Sequence, residues 1–559
     1  MRLAEAQEQL KRGLAAPLLF LALALSAQGS AHASPLLWLA ALAALISTWW
    51  TLGAARPPLP FSLLAAAIGL FAAWTVATNL WANLAYSVSA PFHAAFLVGG
   101  FLLGRRAAAR DVPMLFGTAL AFAVTLALWG TWQRVGLNEG RSHAIFETPA
   151  ILAATLNFVL LPMLVFVALG GRNRWLLASL LLVATGSALA ASRGGWLGLA
   201  AGLAFAGLLA HRAGGRVTMR GAVIVVAVIG SAMLFGELLG WSGHALLSEA
   251  ASQSSLSRFG LYQLAIDGIA RISPLFGSGY LTFHYLLDSE GRNILAYEQA
   301  TTYFVHNDYL QALLELGMPG LAALLVLVVA PLAMAWRMPR VEAGTRIAVV
   351  SAAGGMACMA VHALVDFPYY IPLCLLLYGA AAGVLDGIRL AVGADQGLTR
   401  AEPSIARRAS VAAVTTLAAW MLVVPAAAEA AAEYGHYQWR RLEAKSAVYW
   451  LELARRIEPR DWRYHWYAGQ FWLAQAQLQP RPEAARLADR CFAAGEHANP
   501  YEVSNLVGRI ATHRLFAQHL AAPADAGTLR DWMARALRLA PRDQSVQAQA
   551  ALVRKQFGP

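Results

Sequence analysis

Charge is scarce in this chain: Asp, Glu, Lys and Arg make up 13% of its 559 residues, while 58% are hydrophobic. So low a share excludes an ordinary globular enzyme and leaves a protein that buries much of itself in lipid. Cysteine is scarcer still. Cys358 and Cys374 fall in apolar runs and Cys491 in a polar stretch, so no pair has a spacing that suggests a disulfide framework, a zinc site or redox chemistry. Lys and Arg are absent from the interiors of the apolar runs, where a transporter would keep ionisable groups near the bilayer midplane, and no inverted repeat is visible. A net charge of +12 would fit nucleic acid, but its distribution along the chain is better explained by membrane topology.

What the chain does have is apolar runs of roughly 17 to 25 residues with few charges, each long enough to span a bilayer as a helix. About thirteen are expected, near residues 13–28, 35–55, 59–80, 87–104, 113–133, 149–170, 175–191, 195–211, 221–241, 309–336, 347–365, 369–388 and 410–430. The fold class expected is therefore all-α, a polytopic membrane protein of 12–13 spans occupying residues 1–433. RLAEAQEQLKRG, LAAPLLFLALAL and AHAS could form a cleavable signal peptide, but an uncleaved first helix is preferred, and the next span keeps its orientation either way.

With the N-terminus cytoplasmic, nineteen of the twenty-five Lys and Arg residues up to residue 408 fall in cytoplasmic loops, among them Arg105, Arg106, Arg212, Arg337 and Arg346. Positive charge resists translocation, so this bias sets the orientation. Six arginines are left on the far side: Arg134, Arg141, Arg193, Arg258, Arg271 and Arg292. The long segment 242–308 is then external, and so is the C-terminal domain.

An external arginine is often only solvated or paired with lipid phosphate. Arg193, in ASRGGW, occupies a connection of a few residues between two spans, at headgroup depth, where a planar and permanently charged guanidinium suits a phosphate. Arg258 lies in SLSRFGLYQLAIDGIARISPLFGSGY, whose Leu261, Leu264, Ala265, Ile269 and Ile272 recur at helical spacing and suggest an amphipathic helix lying on the membrane, followed by a tight turn at Gly277-Ser278-Gly279. His306 stands directly before a span in TTYFVHNDYLQALLELGMPG, at the water boundary, where an imidazole can take a proton from a hydroxyl. His143, His284 and His362 compete for that role on composition alone. Asn307 and Asp308 read as helix caps, while Glu147, Tyr303, Gln311, Glu315, His362 and Asp366 are polar residues that could line the same cavity without assigned chemistry.

The ordered set RSHAIFETPA, SRGGW, SRFGLYQLA with PLFGSGY, VHNDYLQALLELGMPG and VHALVDFPYYIP resembles the superfamily of O-antigen ligases, Wzy-type polymerases and bacterial protein O-oligosaccharyltransferases, over roughly residues 140–385. The resemblance implies a GT-C-like, inverting glycosyltransferase of the bacterial inner membrane. It would act at the periplasmic face on a glycan carried by undecaprenyl diphosphate, with no metal and no cofactor. It further implies His306 as catalytic base, and Arg193 and Arg258, with Arg141 less firmly, as the diphosphate-binding residues. The acceptor stays open among lipid A core, a growing glycan and a protein; a polysaccharide or lipid transporter is the alternative from another class.

From residue 434 the chain turns Trp-, Arg- and Glu-rich without a span, which marks a soluble domain over 434–559. IEPRDW, HANPYE and LAPRDQ put Pro459, Pro500 and Pro541 at intervals of 41, the sign of a repeat resembling tetratricopeptide (TPR-like) helical hairpins. Such repeats present a surface to a partner protein or a glycan. Trp450, Trp462, Trp466 and Trp472 are expected in its core.

Overall fold

The computed structural model describes residues 2–28, 34–52, 62–82, 86–107, 111–171, 173–239, 249–286, 303–394, 405–479, 481–541 and 543–558, and regular structure among them is helical throughout. Each of the thirteen apolar segments forms a helix. They are α1 Arg2–Ser26, α2 Pro35–Thr51, α3 Leu63–Ala77, α4 Ser89–Arg106, α5 Val112–Val135, α6 Pro149–Ala168, α7 Arg174–Leu189, α8 Arg193–Arg212 and α9 Met219–Leu238, then, after α10 Glu249–Arg271 and the short α11 Phe283–Leu286, α12 Asp308–Arg337, α13 Ala343–His362, α14 Pro372–Ala394 and α15 Ile405–Arg440. Nine of those described are long and apolar enough to cross a membrane: α3 with its extension to Leu80, α5, α6, α8, α9, α12, α13, α14 and α15. The apolar stretches of α1, α2 and α7 are shorter, and α4 ends in Arg105-Arg106. The chain is a multi-pass membrane protein.

Arginines assigned to the cytoplasmic side meet the opposite ends of neighbouring helices. Arg212 Nε donates to the Trp336 carbonyl at 2.7 Å, and Arg346 Nη1 to that of Ala213 at 3.4 Å. These contacts join the C-termini of α8 and α12 to the N-terminus of α13, so the starts of α8 and α12 and the end of α13 are left together at the other end of the bundle.

The helix expected over 309–336 is broken one third of the way along. Gly317 has φ 68° and ψ −172°, and Pro319 follows, so the carbonyls of the preceding turn lose their helical partners. Inside a membrane protein such groups must be satisfied by protein. The PLFGSGY turn does this: Ser278 N donates to the Leu314 carbonyl at 3.0 Å, Gly279 N to that of Glu315 at 2.9 Å, and Met318 N to that of Pro274 at 2.9 Å. Trp74 Nε1 takes the Leu316 carbonyl at 2.8 Å. The turn comes so close that a Cβ on Gly317 would stand 2.3 Å from the Leu275 carbonyl oxygen. Gly317→Ala thus combines a strained φ with a backbone clash. Its expected cost exceeds about 1 kcal/mol, read as a lower midpoint in a detergent thermal-shift assay.

The same junction corrects the expectation for α10. Its apolar stripe does not lie on the membrane; Leu261, Leu264 and Ala265 are buried against Phe283, Val305 and Leu314, because the broken helix offers them a protein surface. The helix that carries Arg258 is thereby fixed to the start of α12.

Beyond α15 follow α16 Ala444–Ile457, α17 Trp462–Leu478, α18 Pro482–Ala498, α19 Val503–Phe516, α20 Ala526–Leu539 and α21 Gln544–Phe557, each packed on its predecessor. The interval of 41 has a local cause. Pro459, Pro500 and Pro541 follow the ends of α16, α18 and α20. Asp461, Glu502 and Asp543, two residues on, then cap α17, α19 and α21 by accepting from Arg463 N, Ser504 N and Ser545 N. Asp543→Ala should cost about 1 kcal/mol, seen as faster proteolysis of α21. Trp450, Trp466 and Trp472 are packed partly buried against the cores of these hairpins.

Among the described residues, the tail touches the preceding part of the chain through Arg460, whose Nη2 donates to the Asn79 carbonyl at 3.0 Å with its guanidinium 4.5 Å over Tyr86, and through Tyr501, which packs against Tyr285.

Candidate functional site

Three connections converge at the end of the bundle where α8 and α12 begin and α13 ends. The first is the α7–α8 turn. Ala191 adopts φ 48°, and Ser192 caps α8 by accepting from Gly195 N at 3.1 Å, which sets Arg193 on the first turn. A Cβ on Gly194 would lie 2.9 Å from the His362 ring and one on Gly195 2.9 Å from Ala153, so the glycine pair of SRGGW is what lets α8 start flush against α13 on one side and α6 on the other.

The second is the approach to α12. His306 itself has φ 61°, a left-handed conformation that a non-glycine residue holds only when its surroundings impose it, and such positions concentrate at functional sites. Here Val305 N donates to Gln311 Oε1 at 3.0 Å, the Tyr262 hydroxyl of α10 donates to the His306 carbonyl at 2.9 Å, and Phe304 stacks on Phe367 at 3.9 Å. Asn307 is the helix cap, as its position implies, accepting from Tyr309 N and Leu310 N at 3.1 and 3.0 Å. Asp308 is not. It is fully buried, its carboxylate accepts from Tyr369 N at 2.8 Å and its own N–H donates to the Ala363 carbonyl at 2.9 Å, which ties the start of α12 to the third connection.

That third connection, after α13, carries Asp366. Its Oδ1 accepts from His306 Nδ1 at 3.0 Å and its Oδ2 from His362 Nε2 at 3.2 Å, with Arg258 Nη2 of α10 at 3.8 Å from Oδ1. A carboxylate only accepts, so His306 Nδ1 carries a proton and the neutral ring keeps its Nε2 lone pair. Burial by itself would raise the Asp366 carboxyl, but the hydrogen bonds it accepts from His306 and His362 outweigh it and hold the group well below the usual carboxylate range. The His306 side chain is 21% exposed and that of Arg258 26%, against 2% for Asp366: the carboxylate is inside and its two partners are part-exposed.

Arg141, expected as a diphosphate-binding residue, is bonded to a neighbouring turn. Its Nε and Nη2 donate to the Ala190 carbonyl and its Nη2 also to that of Ala191 at 2.8 Å, so it braces the α7–α8 turn. It nevertheless shares the cluster's field: burial, then Arg258 and Arg193, lower its proton affinity while Asp366 raises it. Arg258 and Arg141 thus share the field of Asp366, and Arg193 that of Arg141.

Of the residues expected from sequence, His306, Arg193, Arg258 and Arg141 are all drawn to this end. His362 joins them through Asp366, whereas His143 is taken up by Glu139 at 3.0 Å and the Phe146 carbonyl at 2.6 Å, and His284 packs on Tyr285 and Tyr303. Gln311 and Glu315 serve architecture: Glu315 accepts from Leu281 N and Phe283 N at 2.8 and 3.0 Å and from Gln311 Nε2 at 3.1 Å. Arg292 lies outside the described residues, as do Thr301, Thr302 and the rest of 287–302. Asp366 is the residue whose importance the sequence did not disclose. Its one signal is the His362–Asp366 spacing of four; the partnership with His306 spans sixty residues.

A multi-pass helical protein with an imidazole, a carboxylate and several guanidiniums at one end of its bundle is the class these features define. Within that class, residues 177–325 match the family model described as O-antigen ligase, and a glycan-transferring membrane activity is the reading the match supports. The matched span contains Arg193, Arg258 and His306; Arg141 and Asp366 lie outside it. No curated protein matches the chain.

Proposed function

We propose that the chain is an inverting glycosyltransferase that moves a glycan from undecaprenyl diphosphate to an acceptor hydroxyl at the periplasmic face of the inner membrane. The observation that carries this is Asp366 joining His306, His362 and Arg258 beside Arg193 and Arg141. His306 Nε2 takes the acceptor's hydroxyl proton as its oxygen attacks the anomeric carbon. The carbon–oxygen bond to the diphosphate breaks, its electron pair stays on the phosphate oxygen, and Arg193 and Arg258 stabilise that charge as it forms. Asp366 holds the imidazole in the competent tautomer, in the manner of a carboxylate behind any histidine base. Arg141 acts indirectly, by holding the turn that carries Arg193. The lipid tail of such a donor would run in the bilayer while its diphosphate emerges at the depth of the α12 mouth. Residues 1–433 would form the transferase domain and 434–559 a separate TPR-like domain, with its hairpins offering a surface to a protein partner or glycan.

The test is a transfer assay with purified protein and undecaprenyl diphosphate-linked glycan, offered lipid A core, a second lipid-linked glycan or a pilin-like protein. Arg193→Ala and Arg258→Ala should each lower turnover by about 10²–10³-fold, with Arg193→Lys recovering only part because a lysine cannot present paired donors. Wild-type turnover in both alanine variants would sink the assignment. The acceptor that is consumed chooses between ligase, polymerase and protein transferase.

A further inference from the structure

The exposed face of α15 does not end where its apolar run ends. Trp420, Val423, Ala427, Ala430, Tyr434, Tyr437 and Arg441 follow one another at spacings of three and four, all exposed, so they form one stripe along the helix and onto its last turn. Trp420 and Val423 belong to the membrane-spanning part, at 67% and 50% exposure, and with lipid around them that face is a lipid face. The depth at which it leaves the bilayer is marked by Glu429, whose carboxylate accepts from the N–H of Leu36 at the start of α2. At 1.5 Å per residue, Tyr434 and Tyr437 stand only about 8 and 12 Å beyond that mark. Side chains on a helix lean toward its N-terminus, which for α15 is toward the bilayer, so both rings reach back into the headgroup zone.

The polar ends of the stripe are arranged for that zone. Tyr434 and Tyr437 stack at 6.0 Å, and Arg441 donates to the Tyr437 hydroxyl at 2.9 Å with its guanidinium 5.6 Å from the ring. The other side of Tyr434 rests on Trp450 of α16, 5.1 Å away, so the pair is backed by the tail's first hairpin. Tyrosine at a membrane interface sets an apolar ring in the acyl boundary and its hydroxyl in water, and an arginine above it meets lipid phosphate.

We propose that Tyr434, Tyr437 and Arg441 form a docking stripe for anionic lipid headgroups, which seats the C-terminal hairpins on the leaflet beside the site. The partner is the bilayer surface, and the argument is continuity with the lipid-facing side of the same helix. It does not depend on the transferase reading.

The full chain in nanodiscs tests it. The three native cysteines are buried, so a nitroxide can be attached at Tyr437→Cys or, as control, at Leu442→Cys on the outermost corner between α15 and α16, where the side chain is 88% exposed. The expected result is a several-fold higher ratio of oxygen to nickel-chelate accessibility at 437 than at 442. Equal ratios at the two positions would overturn the proposal. In a second arm Arg441→Glu is combined with the label at 437, in phosphatidylglycerol and in phosphatidylcholine discs. The depth of the label should decrease in the variant, and in phosphatidylglycerol more than in phosphatidylcholine. A deep label indifferent to both changes would overturn the anionic-headgroup part. Since both substitutions fall on exposed positions, helicity by circular dichroism should equal that of wild type.

Discussion

Replacing His306 by alanine is expected to lower glycan transfer by about 10²–10⁴-fold, the range a positioned general base contributes. Binding of donor should survive, since in the proposed reaction His306 meets the acceptor hydroxyl rather than the diphosphate. The signature is a fall in turnover with little change in donor affinity, measured by single-turnover assay beside a binding titration. The substitution also removes a residue held at φ 61°, and alanine is equally strained there, so stability should change only through the loss of the Asp366 contact. His306→Ala with wild-type turnover would leave the cluster without a base and the proposed reaction without its proton acceptor.

Asp366→Asn should come close to the same loss, for a different reason. Two imidazole N–H groups converge on Asp366, one on each oxygen. An amide has one carbonyl oxygen to offer, and its NH2 faces the second ring as a donor. One histidine must then change tautomer, and if His306 does so its Nε2 carries the proton and cannot accept another. A drop of about 10²–10⁴-fold follows. The pH dependence of the wild type separates this carboxylate from the imidazoles. Its folded-state affinity for protons is depressed, so the stability it contributes is present above the ordinary carboxylate range and is lost only as pH falls through the still lower folded value. A loss of wild-type activity that sets in above the ordinary carboxylate range is therefore not protonation of Asp366, which stays ionised there.

Much of the helical architecture was legible because lipid imposes a simple demand. Each apolar run of membrane length had to close its own backbone hydrogen bonds, and each of the thirteen became a helix. The interruption of α12 was half legible. ELGMPG contains the glycine and proline that break it, and PLFGSGY contains the turn that repairs it, but forty residues lie between them in the chain. Taken alone, the α10 stripe read as a membrane-surface helix, since an apolar face carries no label saying whether lipid or protein will cover it. Arg141 read as a ligand because an arginine's charge is visible in sequence, while the two carbonyls that occupy it belong to a turn fifty residues on.

The chain's order of residues by itself determined that it is helical, that it spans a membrane several times, that its tail repeats every 41 residues, and that His306 and Arg193 would stand at helix mouths. Those properties follow from local hydropathy, spacing and caps, which act over a few turns. Only the tertiary structure decided that Asp366 sits between His306 and His362, that Asp308 is a buried strut, and that Arg141 braces instead of reaching out. These depend on which helix ends come together, and that is set by side chains packing across sixty residues and more, where neither periodicity nor charge bias carries information.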